Sequence, residues 1–260
     1  MHSRAAVARA LELREEGLGA RRIARSTGLP VRTVTDWLAG KLPQHSRHGE
    51  GTEGCDGCGH PAHRFSELPS SYAYLLGLYL GDGCISCGPR SVYKLRITLD
   101  LVYPRIVDEC EAAIREVSPR NRVHRQLRRG GYVERPEPTL VEVSAYSKSW
   151  PCLFPQHGPG AKHTRLIELA DWQRVLVRRR PKLLLRGLVH SDGCRFINTG
   201  RGGWVCPRYS FSNLSDDIKG IFCETCELLG LHWTKAGQKT IYVSRRVDVE
   251  FLDTFVGPKA

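Results

Sequence analysis

The 260-residue sequence has no long apolar run and no visible export signal. Its longest apolar stretch, residues 72–80, is far shorter than the roughly 20 residues that a membrane-spanning helix needs. The N-terminus leads directly into an amphipathic pattern rather than into the apolar segment of a signal peptide. Without export, the ten cysteines are expected to be reduced thiols or metal ligands, because a disulfide framework needs an oxidising compartment. We therefore expect a cytoplasmic protein that does not contact a membrane.

Acidic residues are scarce relative to basic ones. The chain has 27 Asp and Glu against 39 Lys and Arg, which gives a formal net charge of +12. Such a charge is typical of proteins that bind a polyanion, because neutralised phosphates release counterions and so drive association. Arginine dominates the excess, and its planar guanidinium suits phosphates and guanine edges. The composition favours nucleic acid as the partner, although charge alone does not separate this chain from other basic proteins.

The first forty residues have the pattern of a small helical module. Apolar spacing and glycine breaks predict helices over residues 5–16 and 20–26 and a third from residue 31. Two short helices joined by a Gly-containing turn are typical of a helix-turn-helix, and residues 21–38 resemble the helix-turn-helix domains of regulators and resolvases. We therefore assign residues 1–42 to a DNA-binding domain; a helical cap packed on the main body is the alternative. The resemblance places three side chains on the groove-facing side, Arg32, Thr33 and Thr35, and the arginines supply phosphate contacts: Arg21, Arg22, Arg25 and Arg32.

Residues 43–66 are predicted to be a linker that carries a zinc knuckle. A polar, Gly-rich stretch leads into a Cys-x-x-Cys turn that is followed at once by two histidines. The four candidate ligands are Cys55, Cys58, His60 and His63. A Cys2His2 set satisfies tetrahedral zinc, but the spacing is tight, so one histidine could be a spectator with another side chain completing the shell. Free thiols are the alternative.

Two further Cys-x-x-Cys pairs are interpreted as small buried apolar residues. Cys84 and Cys87 lie on a predicted strand, where their odd spacing points the two side chains to opposite faces. Cys223 and Cys226 lie one turn apart on a predicted amphipathic helix. Buried cysteine commonly behaves as a small apolar side chain, so neither pair is expected to bind metal.

The strongest signal is an internal repeat. Residues 75–84, LLGLYLGDGC, return as residues 185–194, LRGLVHSDGC. Each copy has small residues four apart, which on a helix make a smooth groove and let two such helices approach closely. These small residues are Gly77 and Gly81 in the first copy and Gly187 and Ser191 in the second. The repeat therefore predicts two helices packed against each other.

Each copy ends in an Asp-Gly pair, with Asp82 in the first and Asp192 in the second. A carboxylate at a helix C-terminus meets the negative end of the helix dipole, which costs stability. Parallel packing would bring both carboxylates together, and such a cluster is explained if it binds hard cations such as Mg²⁺, which prefer oxygen ligands. The alternative is that each Asp only caps a local turn, which explains one copy better than two in matched contexts.

The paired motifs resemble those of the LAGLIDADG homing endonucleases in the single-chain form, over roughly residues 68–259. The resemblance implies an α+β fold with two pseudo-symmetric αββαββα units, at residues 67–170 and 171–260, whose saddle-shaped sheets cover the DNA major groove. It also implies double-strand cleavage of DNA by divalent-metal-dependent hydrolysis at Asp82 and Asp192. The expected partner is double-stranded DNA, bound by a monomer with internal pseudo-two-fold symmetry in the nucleoid. The alternatives are a transcription regulator that keeps the fold without cutting and an RNA-directed helper in intron splicing.

Local patterns agree with the two-unit arrangement. Residues 92–100 alternate strictly, which puts Lys94, Arg96 and Thr98 on one strand face. Residues 104–117 have the period of an amphipathic helix. A hairpin is predicted from strands over 122–128 and 139–148, and a second helix and hairpin follow over 216–229 and around 236–238. The cationic strand positions expected to contact DNA are Lys94, Arg96, Arg122 and Arg128.

A second repeat lies near the end of each half. Ser147 is followed fifteen residues later by Lys162, and Ser244 fifteen residues later by Lys259. In LAGLIDADG enzymes a basic residue after the last helix of each unit reaches toward the cleavage site, so the resemblance assigns Lys162 and Lys259 to that catalytic role. The alternative is an ordinary phosphate contact or surface lysine, for Lys259 especially, because chain ends fray.

Overall fold

The structure is a computed structural model that describes residues 4–42, 55, 58, 63–130, 137–199, 203 and 205–259. The chain divides into two compact units, Met1–Arg64 and Phe65–Ala260. Each unit has its own cluster of buried apolar side chains. Among the described residues, no helix combines the length and apolar character that crossing a membrane requires.

The described part of the N-terminal unit contains three helices: α1 (Arg4–Glu15), α2 (Ala20–Thr27) and α3 (Val31–Leu38). They begin and end within about a residue of the predicted positions. α2 ends at Gly28, whose φ of 67° lies in the left-handed region that glycine adopts without strain. Apolar side chains from all three helices form the core of this unit, among them Val7, Ile23, Val34 and Trp37.

The larger unit contains the same order of elements twice. The first copy comprises α4 (Ser71–Asp82), β1 (Gly83–Cys87), β2 (Tyr93–Asp100), α5 (Pro104–Val117), β3 (Val123–Arg128), β4 (Leu140–Ser147) and α6 (Trp150–Leu153). The second comprises α8 (Pro181–Asp192), β5 (Gly193–Thr199), β6 (Val205–Ser212), α9 (Asp216–Leu228), β7 (Thr234–Ala236), β8 (Thr240–Val243) and α10 (Arg246–Asp253), and it is preceded by α7 (Asp171–Arg179). The predicted α+β class with two αββαββα units is confirmed.

Each copy folds its strands into a four-stranded antiparallel sheet, with order β1-β2-β4-β3 in the first and β5-β6-β8-β7 in the second. Gly83 faces Ile97 across the first pair of strands, and Gly193 faces Phe211 in the second. This shared register aligns the halves position by position. In each sheet the apolar face packs on the helices, and the other face carries the polar side chains. We call that second face the outer face.

The helices α4 and α8 lie at the centre of the larger unit. In α4, residues 72–80 are all buried, which explains the apolar run as a helix surrounded by protein on every side. α8 buries six residues and joins the same core. The helix α7 was not predicted from the sequence, and α6 and α10 were implied only by the family resemblance, without bounds, because all three are short or carry charged residues on much of their surface.

The prediction for the two cysteine pairs was right for one pair and wrong for the other. Cys223 and Cys226 are buried on α9, as expected. Cys84 and Cys87 are exposed. They lie on β1, which is an edge strand of its sheet, and Cys84 lies opposite Arg96 on the outer face rather than in the core.

Candidate functional site

The two repeated motifs pack in parallel through their small residues. A methyl group added at Gly77 would lie 2.6 Å from the carbonyl oxygen of Leu184 and the amide nitrogen of Leu188. One added at Gly81 would lie 2.9 Å from a carboxylate oxygen of Asp192. Real side-chain atoms do not approach this closely, so only glycine allows the contact. The close packing brings the C-terminal ends of α4 and α8 side by side.

Two lysines contact these helix ends in equivalent ways. The Lys162 ammonium donates to the carbonyl oxygens of Tyr79 and Gly81, at 2.6 and 2.9 Å. The Lys259 ammonium donates to the carbonyl oxygen of Ser191, at 3.1 Å, and Ser191 is the counterpart of Gly81 in the repeat. The last carbonyl groups of a helix lack amide partners and carry partial negative charge, so a cation stabilises each end.

Burial and charge shift the pKa values of these groups. Loss of hydration and the neighbouring Asp192 together raise the pKa of Asp82 to about 6, although Lys259 and Lys162 oppose the shift. Asp82 is nevertheless exposed to solvent, so its carboxylate is surrounded by protein groups without being fully buried. Burial lowers the pKa of Lys162 to about 8, although both carboxylates oppose the shift. Burial also lowers the pKa of Lys259.

The carboxylates and lysines interact across the two halves. Asp82 is influenced more strongly by Lys259 than by Lys162, and Asp192 more strongly by Lys162 than by Lys259. The lysines show the same crossed preference. Each carboxylate therefore lies within the electrostatic influence of both lysines, so both halves contribute charged groups to one site.

The two carboxylates differ in their hydrogen bonding. Asn213 donates from its side-chain amide to Asp192 at 2.6 Å. Burial raises the pKa of Asp192, and this hydrogen bond counteracts the shift. The strand register places Leu99, which is buried and cannot donate, at the equivalent position of the first half. Asn213 was not among the site residues predicted from the sequence. The signal for it is an alignment of the two strands that follow the motifs, in which Asn213 matches the apolar Leu99.

An open cavity of about 420 Å³ adjoins the helix ends. Lys162, Asp192 and Asn213 line it, together with the backbone of Gly81. The groups around the helix ends are carboxylate, amide and carbonyl oxygens. Such hard oxygen donors suit Mg²⁺ or a similar divalent cation, which binds through carboxylates and retains several waters. The donor set therefore fits the metal that the paired aspartates predict.

Most of the cationic strand residues that were predicted to contact DNA bind other side chains of the protein. Lys94 and Arg96 are half-buried on the outer face of the first sheet, while Arg122 and Arg128 are exposed. Lys94 and Arg128 both bind the carboxylate of Glu142, at 2.5 and 3.0 Å. Arg96 contacts the Cys84 thiol at 3.4 Å. Three of the four residues therefore have partners within the protein.

In the N-terminal unit the proposed DNA contacts lie largely at the surface. All four arginines, Arg21, Arg22, Arg25 and Arg32, are exposed. Thr33 is half-buried and Thr35 is exposed. The Thr35 hydroxyl donates to the carbonyl oxygen of Val31 at 2.9 Å, which leaves its lone pairs available to a donor.

Three of the four predicted zinc ligands come together in the N-terminal unit. The ligand atoms of Cys55, Cys58 and His63 all lie within 4.8 Å of one another. The Cys58 sulfur lies 3.1 Å from Nε2 of His63, and Cys58 is buried. His60 lies outside the described residues. These three side chains could bind one metal ion together.

No protein-family model matches the chain, and neither does any curated protein sequence. Solved structures similar to it include the homing endonuclease I-DmoI in complex with DNA and Mn, with 17% identity and a TM-score of 0.45 over 74% of this chain and 98% of that one. The LAGLIDADG meganuclease I-AabMI bound to uncleaved DNA has 12% identity and a TM-score of 0.43, over 71% of this chain and 82% of that one. The LAGLIDADG homing endonuclease I-GzeII in complex with its DNA target has 9% identity and a TM-score of 0.42, over 73% and 84%. The family of these structures is the family that the paired motifs resemble.

Proposed function

We propose that the protein is a site-specific, divalent-metal-dependent endonuclease that cuts both strands of duplex DNA. The observation that carries the proposal is the grouping of Asp82, Asp192, Lys162 and Lys259 at two adjoining helix ends. A purely structural helix contact has no need of two carboxylates at the negative ends of helix dipoles, where they reduce stability. Two matched sets of acid and base side by side suit two scissile phosphates, one on each strand.

In this mechanism Asp82 and Asp192 would hold divalent cations. A bound cation of this kind polarises the phosphodiester and makes an attacking water more acidic. The protein's own side chains supply charge stabilisation and positioning. Lys162 and Lys259 hold positive charge beside the helix ends, where it stabilises the negative charge that develops on the phosphate. Asn213 orients Asp192 through its 2.6 Å hydrogen bond, which favours the ionised form against the effect of burial.

DNA binding is proposed to involve both units. The outer faces of the two sheets supply the base contacts, with Lys94, Arg96 and Arg128 on the first sheet and Arg122 beside it. The N-terminal helices act as a helix-turn-helix whose exposed arginines contact phosphates, and they raise the affinity because the two readers are tethered. The net charge of +12 agrees with a polyanionic partner.

A structural zinc ion is proposed at Cys55, Cys58 and His63. Support comes from the close approach of their three ligand atoms and from the burial of Cys58. Two thiolates and an imidazole are the soft and borderline ligands that zinc prefers, in contrast to the oxygen donors at the helix ends. A fourth ligand completes the tetrahedral shell, and His60 is one candidate from the sequence.

A transcription regulator that retains the fold without cutting is the rival function, and the N-terminal module favours it. The deciding experiment incubates the purified protein with a randomised duplex library and Mg²⁺ and then sequences the DNA ends. Enrichment of ends at one sequence, lost in EDTA, supports the endonuclease. Selective binding of a duplex that stays intact would support the regulator instead.

A further inference from the structure

The outer face of the first sheet carries a buried carboxylate among its cations. Glu142 lies on β4, opposite Thr98 on β2 and Gln126 on β3, so it occupies the middle of the sheet. Its side chain is only 6% exposed. One carboxylate oxygen accepts from Lys94 at 2.5 Å and the other accepts from Arg128 at 3.0 Å. Both oxygens are therefore occupied by cations that sequence analysis assigned to DNA.

At the matching strand positions that the structure describes, the second half has no such carboxylate. The register aligns Glu142 with Thr240, and Thr98 with Ser212. The Ser212 and Thr240 hydroxyls hydrogen-bond to each other at 2.9 Å, so two neutral groups occupy the position of the carboxylate. Glu142 is thus a feature of one half and not a requirement of the fold.

An anion in the middle of a face that binds DNA lowers the affinity for DNA, because it repels phosphates and forms ion pairs with two cations that could otherwise bind them. Paired and hydrogen-bonded, however, it fixes those cations in space. An immobilised guanidinium donates hydrogen bonds only to an acceptor at one fixed position, whereas a flexible arginine side chain can move to contact a phosphate at many positions. Arg128 remains 43% exposed while its Nη2 is held, so its other N–H groups can meet an acceptor outside the protein.

We propose that Glu142 is a specificity-determining residue of the first sheet, which holds Lys94 and Arg128 for base edges and withholds them from phosphates of non-target DNA. The inference rests on the proposed DNA binding. The chemistry points to guanine as the base recognised by Arg128, because its O6 and N7 are paired acceptors in the major groove. The protein would discriminate target from non-target DNA because Glu142 lowers the affinity for non-target sequences. Other specific interfaces also use repulsive groups in this way.

The test compares E142Q with E250Q. Both changes remove one negative charge from an ion pair, but Glu250 pairs with Arg246 on the exposed surface of α10. Binding of full-length protein to a duplex selected from a random library and to a scrambled duplex is measured by fluorescence anisotropy, over roughly 50 to 200 mM salt. We expect E142Q to steepen the salt slope of binding to scrambled DNA by about two units, because two cations become able to contact phosphates. We also expect it to lower the preference for the selected duplex roughly tenfold. E250Q should leave the preference unchanged.

A second pair of variants gives an independent readout in protein that keeps Glu142. Lys94→Met should leave the salt slope on scrambled DNA unchanged, because Lys94 is held by Glu142. Arg122→Met, at an exposed position beside the same sheet, should lower the slope by about one. Equal slopes for wild type and E142Q, or a Lys94→Met effect as large as that of Arg122→Met, would overturn the inference. A wild-type protein that binds neither duplex would instead overturn the proposed function.

Discussion

Replacing Asp82 by Asn should make the protein more stable at neutral pH and should leave its stability unchanged in acid. Burial and the neighbouring Asp192 raise the pKa of Asp82 from 3.8 to about 6 in the folded protein. A carboxyl group with a raised folded pKa stabilises the fold below its unfolded pKa, and this contribution is lost as pH rises through the folded pKa. Ionised Asp82 therefore destabilises the native state above about pH 6, and a neutral amide does not.

The magnitude follows from the size of the pKa difference. A difference of about two corresponds to about 3 kcal/mol if the whole effect is retained. Because Asp82 reaches solvent, screening reduces it, and we expect a gain of about 1 kcal/mol in the free energy of unfolding. For a unit of this size that gain raises the melting temperature by roughly 2–4 °C.

The assay is differential scanning calorimetry of wild type and Asp82→Asn from about pH 4 to about pH 8, in buffers without added divalent ions. The difference in melting temperature should be near zero at the acid end and should reach its full size above about pH 7. Asp253→Asn is the control of opposite sign, because the hydrogen bond from Arg195 lowers the pKa of Asp253. That variant should lose stability at neutral pH and match wild type in acid. A gain for Asp82→Asn that is independent of pH would refute the electrostatic explanation.

Three further predictions concern function. Asp82→Asn or Asp192→Asn should abolish double-strand cutting and leave DNA affinity nearly unchanged, because phosphate contacts dominate affinity; parental cutting by either variant in a gel assay contradicts their assignment. Purified protein should contain about one zinc by elemental analysis, which is lost when Cys55 and Cys58 become serine; metal-free native protein, prepared without chelator, would disprove the site. Deleting residues 1–45 should weaken binding and flatten its salt dependence while a correct target is still cut at saturating protein, and unchanged isotherms would show that the N-terminal unit does not read DNA.

Much of the larger unit could be predicted from the sequence because its elements have strong local patterns. The helix over residues 104–117 was predicted at its observed bounds, since its apolar residues recur with helical period and Pro104 marks its first turn. The strand around Lys94 and Arg96 was predicted because alternation is a local property of an extended chain. The duplicated motif indicated a close helix pair, since small residues four apart are informative without any knowledge of their partner.

Partners across the fold depend on tertiary structure alone. Nothing in the sequence around Lys94 indicates that its cation binds Glu142, which lies almost fifty residues away and contacts it only through the sheet register. Asn213 reaches Asp192 because separate strands, helices and loops converge at one place. The resemblance placed Lys162 near this site, but only the fold shows that it binds carbonyl oxygens at the end of α4. Cys84 has the same spacing to Cys87 as a buried or metal-binding pair would have, yet an edge strand leaves both exposed. Periodicity is local and can be seen in the order of residues, whereas ion pairing, burial and pKa depend on groups that only the folded chain brings within a few ångströms.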